Sequence, residues 1–394
     1  MNFKTHILIA LLIFLASSCY PNNGVVPEEI KETEIELNIV DKQATNQTKA
    51  LLSNLWAIQQ KGTMFGHHDD LWYGRTWYNE PGRSDVKEVC GDYPAVFSVD
   101  FAEVMDMRSA TSSANSIRKR VILEARSRGE VITACCHLNN PLTGGDAWDN
   151  SNNNVVKEIL TKGSATNLKF KGWLDKLAVF ANNLEDENGD LIPVIFRPFH
   201  EHTQTWSWWG KKCTTDEEFI GLWKFTIEYL RDEKGVHNLL YAISPQMDGI
   251  QQADDLLFRY PGDEYVDFLG MDCYHGTNTD AFISNLTNLA ALSKQKQKPC
   301  GVTETGVEGI LKNGAPYAEY WTKEILTPLI GRKVSMVVMW RNAYDQFESG
   351  HHFYGPYPGH ASEKDFIRFY RSEIIFFSKD LPNMYLPAEQ VIVF

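Results

Sequence analysis

The sequence predicts an α/β fold, a (β/α)8 TIM barrel in a single catalytic domain. Eight apolar runs rich in β-branched and aromatic residues recur along the chain, and segments with helical periodicity separate them. The runs are continuously apolar, as expected for parallel strands that helices cover on the outside. No G-x-G-x-x-G motif opens a helix after the first run, which disfavours a dinucleotide-binding sheet. Repeated alternation of strand and helix then favours a closed barrel over an open sheet.

The eight predicted strands have clear positions in the chain. They lie at 62–70, 95–101, 131–138, 192–201, 238–246, 265–275, 300–306 and 334–342. Helical periodicity is clearest at 116–129 and 216–235, and both segments end in a glycine after a basic residue, which is typical of a helix C-terminus.

Polar side chains follow almost every predicted strand. Seven of the eight runs end in such groups: His67, His68 and Asp69; Asp100; His137; His200 and Glu201; Asp272, Tyr274 and His275; Glu304; Trp340 and Arg341. The active sites of (β/α)8 barrels lie at the carboxyl ends of the strands. The pattern therefore predicts a functional cleft at that end.

The first residues differ from the rest of the chain. A basic start at Lys4, an apolar run and small residues before Cys19 predict a lipoprotein signal peptide over 1–18, with Cys19 as the lipid-bearing residue. Ordinary signal cleavage nearby is the alternative. Residues 19–45 are polar and rich in glutamate, and we expect them to form a flexible tether. The predicted catalytic domain then runs over 46–394.

Charge and cysteine spacing exclude several classes of partner. The net charge is −13 and no basic stripe is interleaved with aromatic residues, so nucleic acid is not an expected partner. The six cysteines after Cys19 show no paired C-x-x-C spacing, so no zinc site is predicted. We expect neither a metal nor a cofactor.

Two glutamates carry the chemical prediction. Glu201 closes the fourth predicted strand and Glu304 closes the seventh, so the barrel can bring their carboxyl groups together above its mouth. One protonated and one ionised carboxyl group are what the cleavage of a glycosidic bond requires. Tryptophans offer flat apolar faces to sugar rings, and three of the 11 tryptophans lie between Trp206 and Trp209. For either glutamate alone, a structural salt bridge is the competing interpretation.

Taken together, these motifs resemble glycoside hydrolase family 26, whose commonest activity is β-1,4-mannanase. The segment FRPFHEHTQTWSWWG, 196–210, matches the family pattern R-P-x-H-E followed by W-x-W-W-G. The segment GVTETG (301–306), about a hundred residues later, is part of the same resemblance, and GTMFGHHDDLWYG (62–74) is similar to the family's first strand and loop. The resemblance covers about residues 46 to 380.

The resemblance implies roles for individual residues. Glu201 would be the general acid/base and Glu304 the nucleophile of a retaining, double-displacement reaction. Arg197 and Asp272 would support them. The implied substrate contacts are His137, Trp148, His200, Trp206, Tyr274 and Trp340. Among these, Tyr274 would donate to Glu304, Trp340 would lie under the ring being cleaved and Trp206 would flank the leaving-group side.

The resemblance also implies β-mannan, galactomannan or manno-oligosaccharides as partners, cleaved internally or from chain ends with release of mannobiose. The alternatives are β-1,3-xylan or mixed-linkage β-glucan as substrate, or a glycan-binding lipoprotein without catalysis. The lipid anchor predicts a Gram-negative envelope as the location. The residues after Cys19 lack an immediate acidic cluster, which favours a periplasm-facing anchor over the cell surface.

Overall fold

A closed barrel of eight parallel strands forms the body of the protein. The structure is a computed structural model that describes residues 34–107 and 112–394. The barrel strands are β1 (Thr63–His68), β2 (Val96–Asp100), β3 (Val131–Cys135), β4 (Val194–Arg197), β5 (Leu239–Ile243), β6 (Phe268–Cys273), β7 (Cys300–Thr305) and β8 (Met336–Met339). Each strand pairs with the next in parallel, and β8 pairs with β1, with Val337 opposite Phe65. The predicted fold class and all eight predicted strands are confirmed.

Helices surround the barrel. The α-helices are α1 (Asn46–Gln59), α2 (Asp85–Cys90), α3 (Ser113–Ser127), α4 (Val155–Leu160), α5 (Ala165–Ala181), α6 (Asp216–Glu228), α7 (Thr279–Lys296), α8 (Thr327–Leu329) and α9 (Glu363–Tyr370). Helix α6 begins where the sequence favours it, because Thr215 and Glu218 form a reciprocal capping box. The predicted helical segments 116–129 and 216–235 correspond to α3 and to α6 with its π-helical continuation, Tyr229–Glu233.

Polarity is divided along the barrel axis. Near the amino ends of the strands, Met64, Ile195 and Phe268 share a buried apolar cluster with Leu51 and Leu55 of α1. Helix α1 therefore packs against this end. Near the carboxyl ends, the interior holds Arg197, Asp272 and Thr303 instead, all fully buried. The barrel thus has a closed apolar base and a polar floor beneath its opposite end.

The folded body begins earlier in the chain than the sequence predicts. Residues 34–45, assigned above to the tether, include a strand, Ile35–Leu37, that pairs in parallel with Val391–Val393. Leu37 and Ile39 are buried in the cluster at the base of the barrel. The sequence pattern missed this strand because it is short and its partner lies more than 350 residues away. The predicted signal peptide, Cys19 and the first part of the predicted tether lie outside the described residues.

Within the described ranges, no helix combines the length and apolar character needed to cross a membrane. The six cysteines described there have free thiols, and five of them are buried.

Candidate active site

A buried ionic centre lies at the top of the barrel. Arg197, at the end of β4, donates from Nη1 to both carboxylate oxygens of Asp272 at 2.7 and 2.8 Å and from Nη2 to Oε1 of Glu304. Its Nη1 also donates to Oγ of Ser244 at 2.8 Å. Because a buried carboxylate needs a charged partner, the guanidinium compensates both acids in the barrel floor.

Glu304 reaches this centre because β7 is irregular. The register of β7 against both neighbouring strands shifts between Val302 and the residues that follow it. Thr303 donates to Oδ1 of Asp272 at 2.7 Å while the next residue, Glu304, contacts Arg197. Two consecutive side chains thus face the interior, which regular strand alternation forbids and a bulge permits.

The second oxygen of Glu304 is also fixed. The hydroxyl of Tyr274 donates to Oε2 at 3.0 Å. Burial, together with the charge of Glu304, raises the pKa of Tyr274 well above its usual range. Tyr274 therefore stays protonated and holds Glu304 in one orientation.

Glu201 lies above this centre on a strained turn. Phe199 and Glu201 both adopt the left-handed region, with φ of 54° and 53°. Such angles are uncommon for residues other than glycine and are often found at functional sites. The backbone N–H of Glu201 donates to the carbonyl of Ser244 at 2.8 Å, which holds the turn against the end of β5. The turn directs the carboxyl group of Glu201 towards Glu304.

The environment of Glu201 favours its protonated form. Burial raises its pKa well above the usual range, and the nearby negative charges of Glu304 and Asp272 act in the same direction. Nε1 of Trp206 donates to its Oε2 at 2.6 Å, which opposes the rise. Two carboxyl groups in different environments, one uncharged and one paired with arginine, therefore stand side by side.

The separation between the acids is short. One carboxylate oxygen from each of Glu201, Asp272 and Glu304 lies within 4.8 Å of the other two. Such a cluster could bind a divalent cation, but Arg197 already neutralises two of its members. Asp100, Cys135 and His137 form a second close group. Burial raises the pKa of the Cys135 thiol well above its usual value, and a neutral thiol is a poor metal ligand.

An aromatic wall stands on one side of Glu201. Trp206 lies 5.4 Å from Trp148 between ring centroids, and His137 stacks on both tryptophans at 5.7 and 5.9 Å. Trp148 is 57% exposed, so its ring is open to a ligand. Nδ2 of Asn150 donates to the carbonyl of Thr205 at 2.8 Å and ties the loop of Trp148 to the loop of Trp206.

Two histidines meet at the centre of the cleft. Nε2 of His137 lies 3.2 Å from Nε2 of His200, and Nδ1 of His137 is 2.7 Å from Oδ2 of Asp100. Burial alone would lower the pKa of His137, but the hydrogen bond and charge of Asp100 outweigh it and raise the pKa. Burial and the charge of His137 lower the pKa of His200 well below its usual value. Of the two rings, His137 therefore holds a second proton more readily than His200 does.

Trp340 lies next to the aromatic wall, with its ring 5.7 Å from that of His137 between centroids. Its ring stacks on His68 at 4.2 Å, and Nδ1 of His68 lies 2.8 Å from Oγ of Ser98. A cavity of about 490 Å³ lies beside these rings, lined by residues that include His68, Asp69, Tyr73, Asp100, His137, Trp148, Trp340 and Arg341. Every residue that the sequence places in the site lies at this end of the barrel, and the structure brings Glu201, Glu304, Arg197, Asp272 and Tyr274 into one contact network.

Two residues that hydrogen-bond within the ionic centre, Ser244 and Thr303, are not predicted from the sequence. The fifth predicted strand was the one without a chemical group at its end, yet Ser244 there contacts Arg197. Thr303 was overlooked because it precedes Glu304 and strand alternation would turn it away from the same cavity. A hydroxyl residue directly after an apolar run was the available signal for Ser244.

Comparison with known proteins identifies the family of the chain. The model of glycosyl hydrolase family 26 matches residues 40–320, which is more than half of the chain. The chain belongs to this family. A family 26 β-mannanase from Bacteroides ovatus has 40% sequence identity and a TM-score of 0.81, over 88% of this chain and 98% of that one.

Curated relatives agree with the structural match. A mannan endo-1,4-β-mannosidase from Bifidobacterium adolescentis is 33% identical over 293 residues, 69% of this chain. The alignment spans only 28% of that longer protein. Another from Bacillus subtilis is 26% identical over 314 residues, 77% of this chain and 81% of the relative.

Proposed function

We propose that this protein hydrolyses β-1,4-mannosidic bonds in mannan and manno-oligosaccharides with retention of configuration. The observation that carries the proposal is the close approach, within 4.8 Å, of oxygens from two carboxyl groups in opposite environments, Glu201 and Glu304. Retaining glycosidases hold their two carboxyl groups about 5–5.5 Å apart, whereas inverting enzymes leave room for water between them. The names of the curated and structural relatives support mannan as the substrate.

Each carboxyl group has one part in the proposed reaction. Protonated Glu201 gives its proton to the glycosidic oxygen while Oε2 or Oε1 of Glu304 attacks the sugar carbon, so the C–O bond breaks and a glycosyl-enzyme ester forms. Glu201, now ionised, takes a proton from water, and the resulting hydroxide attacks the same carbon and releases Glu304. Arg197 and Tyr274 hold Glu304 throughout.

The aromatic residues give the proposed substrate contacts. Trp340 offers a platform at the cleavage point, and His200 is placed beside Glu201 to hydrogen-bond the hydroxyl next to the reacting carbon. His137, Trp148 and Trp206 together form the wall along which neighbouring sugars lie. Mannose has an axial 2-hydroxyl, so the contact at His200 is the one that distinguishes it from glucose or xylose.

The mode of attack depends on how far the cleft extends. We propose internal cleavage, supported by the endo activity in the names of the curated relatives. Chain-end release of mannobiose is the second mode, and the segment 139–171, which carries Trp148, would then close the cleft. A time course on long mannan separates them, because internal cleavage gives many mid-sized products early.

The test of the catalytic pair is substitution of each acid. Glu304→Gln should lower kcat on mannopentaose by at least about a thousandfold because the nucleophile is lost, and the chain should stay folded because Arg197 keeps Asp272 as its charged partner. Glu363→Gln, on α9 away from the cleft, is the matched control. Near-normal turnover by Glu304→Gln would contradict the assignment.

Substrate and stereochemistry have separate readouts. Reducing-sugar release should be fastest from mannan, compared with β-1,3-xylan and mixed-linkage β-glucan, and proton NMR should show the β-anomer first. Binding of mannan without product release by the unmodified protein would instead support a glycan-binding lipoprotein.

The lipid anchor and the periplasm-facing location are also proposals. They are supported by the signal-like segment and Cys19, as argued from the sequence. Labelled palmitate should be incorporated into the wild-type protein and not into the Cys19→Ala variant. Protease treatment of intact cells should leave the protein intact if it faces the periplasm.

A further inference from the structure

A row of aromatic rings continues from the cleft onto the protein surface. The row consists of Tyr73, Tyr78, Tyr344 and Phe347. Tyr78 stacks near Tyr73 with ring centroids 6.3 Å apart and near Tyr344 at 6.1 Å. Phe347 meets Tyr78 and Tyr344 edge to face, each at 5.0 Å. The four rings form one contiguous surface.

One end of the aromatic row belongs to the cleft and the other end is open. Tyr73 lines the cavity beside the catalytic centre, and its hydroxyl donates to Oδ2 of Asp69 at 2.5 Å. Tyr78 is 38% exposed and Phe347 is 72% exposed. An exposed, contiguous aromatic surface on a folded protein commonly marks a binding site.

The aromatic row is held by a fixed framework. Tyr73 and Tyr78 face each other across a two-stranded hairpin, Tyr73–Gly74 with Trp77–Tyr78. Arg75, between them, donates to the carbonyl groups of Ala343 and Gly350 at 2.9 and 3.1 Å. These bonds join the hairpin after β1 to the loop after β8 that carries Tyr344 and Phe347. The rings are therefore presented together and lose little freedom when a ligand binds.

The charges around the aromatic row are compensated. Asp345 pairs with Arg75, Glu348 with Arg341 at 2.7 Å, and Glu80 with Arg83 at 2.9 Å. No surplus of either sign remains among these pairs to select an ionic ligand. A neutral ligand with flat apolar faces suits the surface best, and pyranose rings have such faces.

We propose that the aromatic row binds sugar units of a β-mannan chain beyond the cavity. The proposal rests on the proposed function, since a chain seated between Glu201 and Glu304 continues through the cavity to Tyr73. Phe347 and Tyr78 then act as stacking platforms for sugars that take no part in the chemistry. Their contribution lies in holding long substrates and is absent for short ones.

The test compares a long and a short substrate. Phe347→Ala and Tyr78→Ala should each lower kcat/KM on mannohexaose about three- to tenfold, the effect of losing one stacked ring. Their kcat/KM on mannotriose should change less than about twofold. Phe347→Trp keeps a ring and should restore the mannohexaose value. Phe394→Ala, a 52% exposed phenylalanine beside the strand at the base of the barrel, is the matched control.

The outcomes separate this proposal from the proposed function. An unchanged mannohexaose value in both alanine variants, or an equal loss on both substrates, would overturn the platform while leaving the mannanase assignment in place. Failure of the unmodified protein to cleave either substrate would overturn the mannanase assignment and the platform with it.

Discussion

At the scale of single residues, the surroundings of each carboxyl group in the site differ even where the residue type is the same. Glu201 and Glu304 are the same amino acid, yet Glu201 is buried beside Trp206 and negative charge while Glu304 contacts a guanidinium. Burial and negative neighbours favour the protonated form of Glu201. Arg197 contacts Glu304 and Asp272, so the two glutamates have different electrostatic surroundings.

The hydrogen bond from Trp206 acts on Glu201, the proposed acid. Trp206→Phe removes the N–H that stabilises ionised Glu201, so the pKa of Glu201 should rise further above its usual range. Since the acid works only while protonated, the alkaline limb of the kcat/KM profile should move to higher pH. The profile on mannopentaose measures this. Trp148→Phe keeps the donor to Glu201 and should leave the limb in place; a limb unmoved in Trp206→Phe would refute this effect of the hydrogen bond.

Arg197 should matter for both stability and turnover. Arg197→Met leaves Asp272 and Glu304 buried without their cation, which should lower the free energy of unfolding by about 3–5 kcal/mol. Hydrolysis of mannan should be lost with it. Urea denaturation measures the first effect. Arg83→Met, which breaks the partly exposed pairs with Glu80 and Glu88, should cost less, at most about 1 kcal/mol for each pair. Equal losses in the two variants would contradict this account.

At the scale of elements, two local irregularities assemble the site. The register shift in β7 turns Glu304 inward, and the left-handed turn after β4 turns Glu201 towards it. The shift in β7 is a bulge near the carboxyl end of a strand that stays paired through Thr305, and the turn follows the carboxyl end of β4. The regular parts of the same strands carry apolar residues and supply the core.

The short strand Ile35–Leu37 is an element that we expect to contribute to stability and not to catalysis. Leu37→Ala should lower the free energy of unfolding by about 2–5 kcal/mol, because Leu37 is 1% exposed in the cluster at the base of the barrel. Its kcat on mannopentaose should not change, since the strand lies far from Glu201. Glu36→Ala, exposed on the same strand, is the control. Equal thermal stability of Leu37→Ala and the unmodified protein would show that residues 34–45 are a tether after all.

At the scale of the whole molecule, the two ends of the barrel have separate tasks. The cleft occupies the carboxyl ends of the strands, and another buried acid, Glu130, directly precedes β3 at the amino ends. Nε of Arg128 donates to Glu130 at 2.5 Å, but burial still raises the pKa of Glu130 to about 8. Changes at this end should alter stability and leave catalysis intact.

Glu130→Gln tests that separation. The pKa of Glu130 is higher in the folded state than its ordinary value of 4.5. Its contribution to the free energy of unfolding is therefore fully present below about pH 4.5 and is lost as the pH rises through about 8. Glutamine cannot ionise, so the melting temperature of the variant should fall less between about pH 5 and pH 9. Glu187→Gln, exposed at the same end, should behave like the unmodified protein. A fall in Glu130→Gln as large as in the unmodified protein would contradict the prediction.

The sequence by itself determined the barrel, its eight strands and the two glutamates. Continuous apolar runs indicate strands that are buried on both faces, and polar residues at the ends of such runs indicate the end of the barrel that carries the site. Both patterns can be recognised within a short stretch of sequence. The tertiary structure alone decided the contacts that give these residues their properties: Ser244 and Thr303 around Arg197, the short strand at the base and the aromatic row from Tyr73 to Phe347. These depend on pairing between segments far apart in the chain and on a bulge that breaks alternation, and no local pattern encodes either.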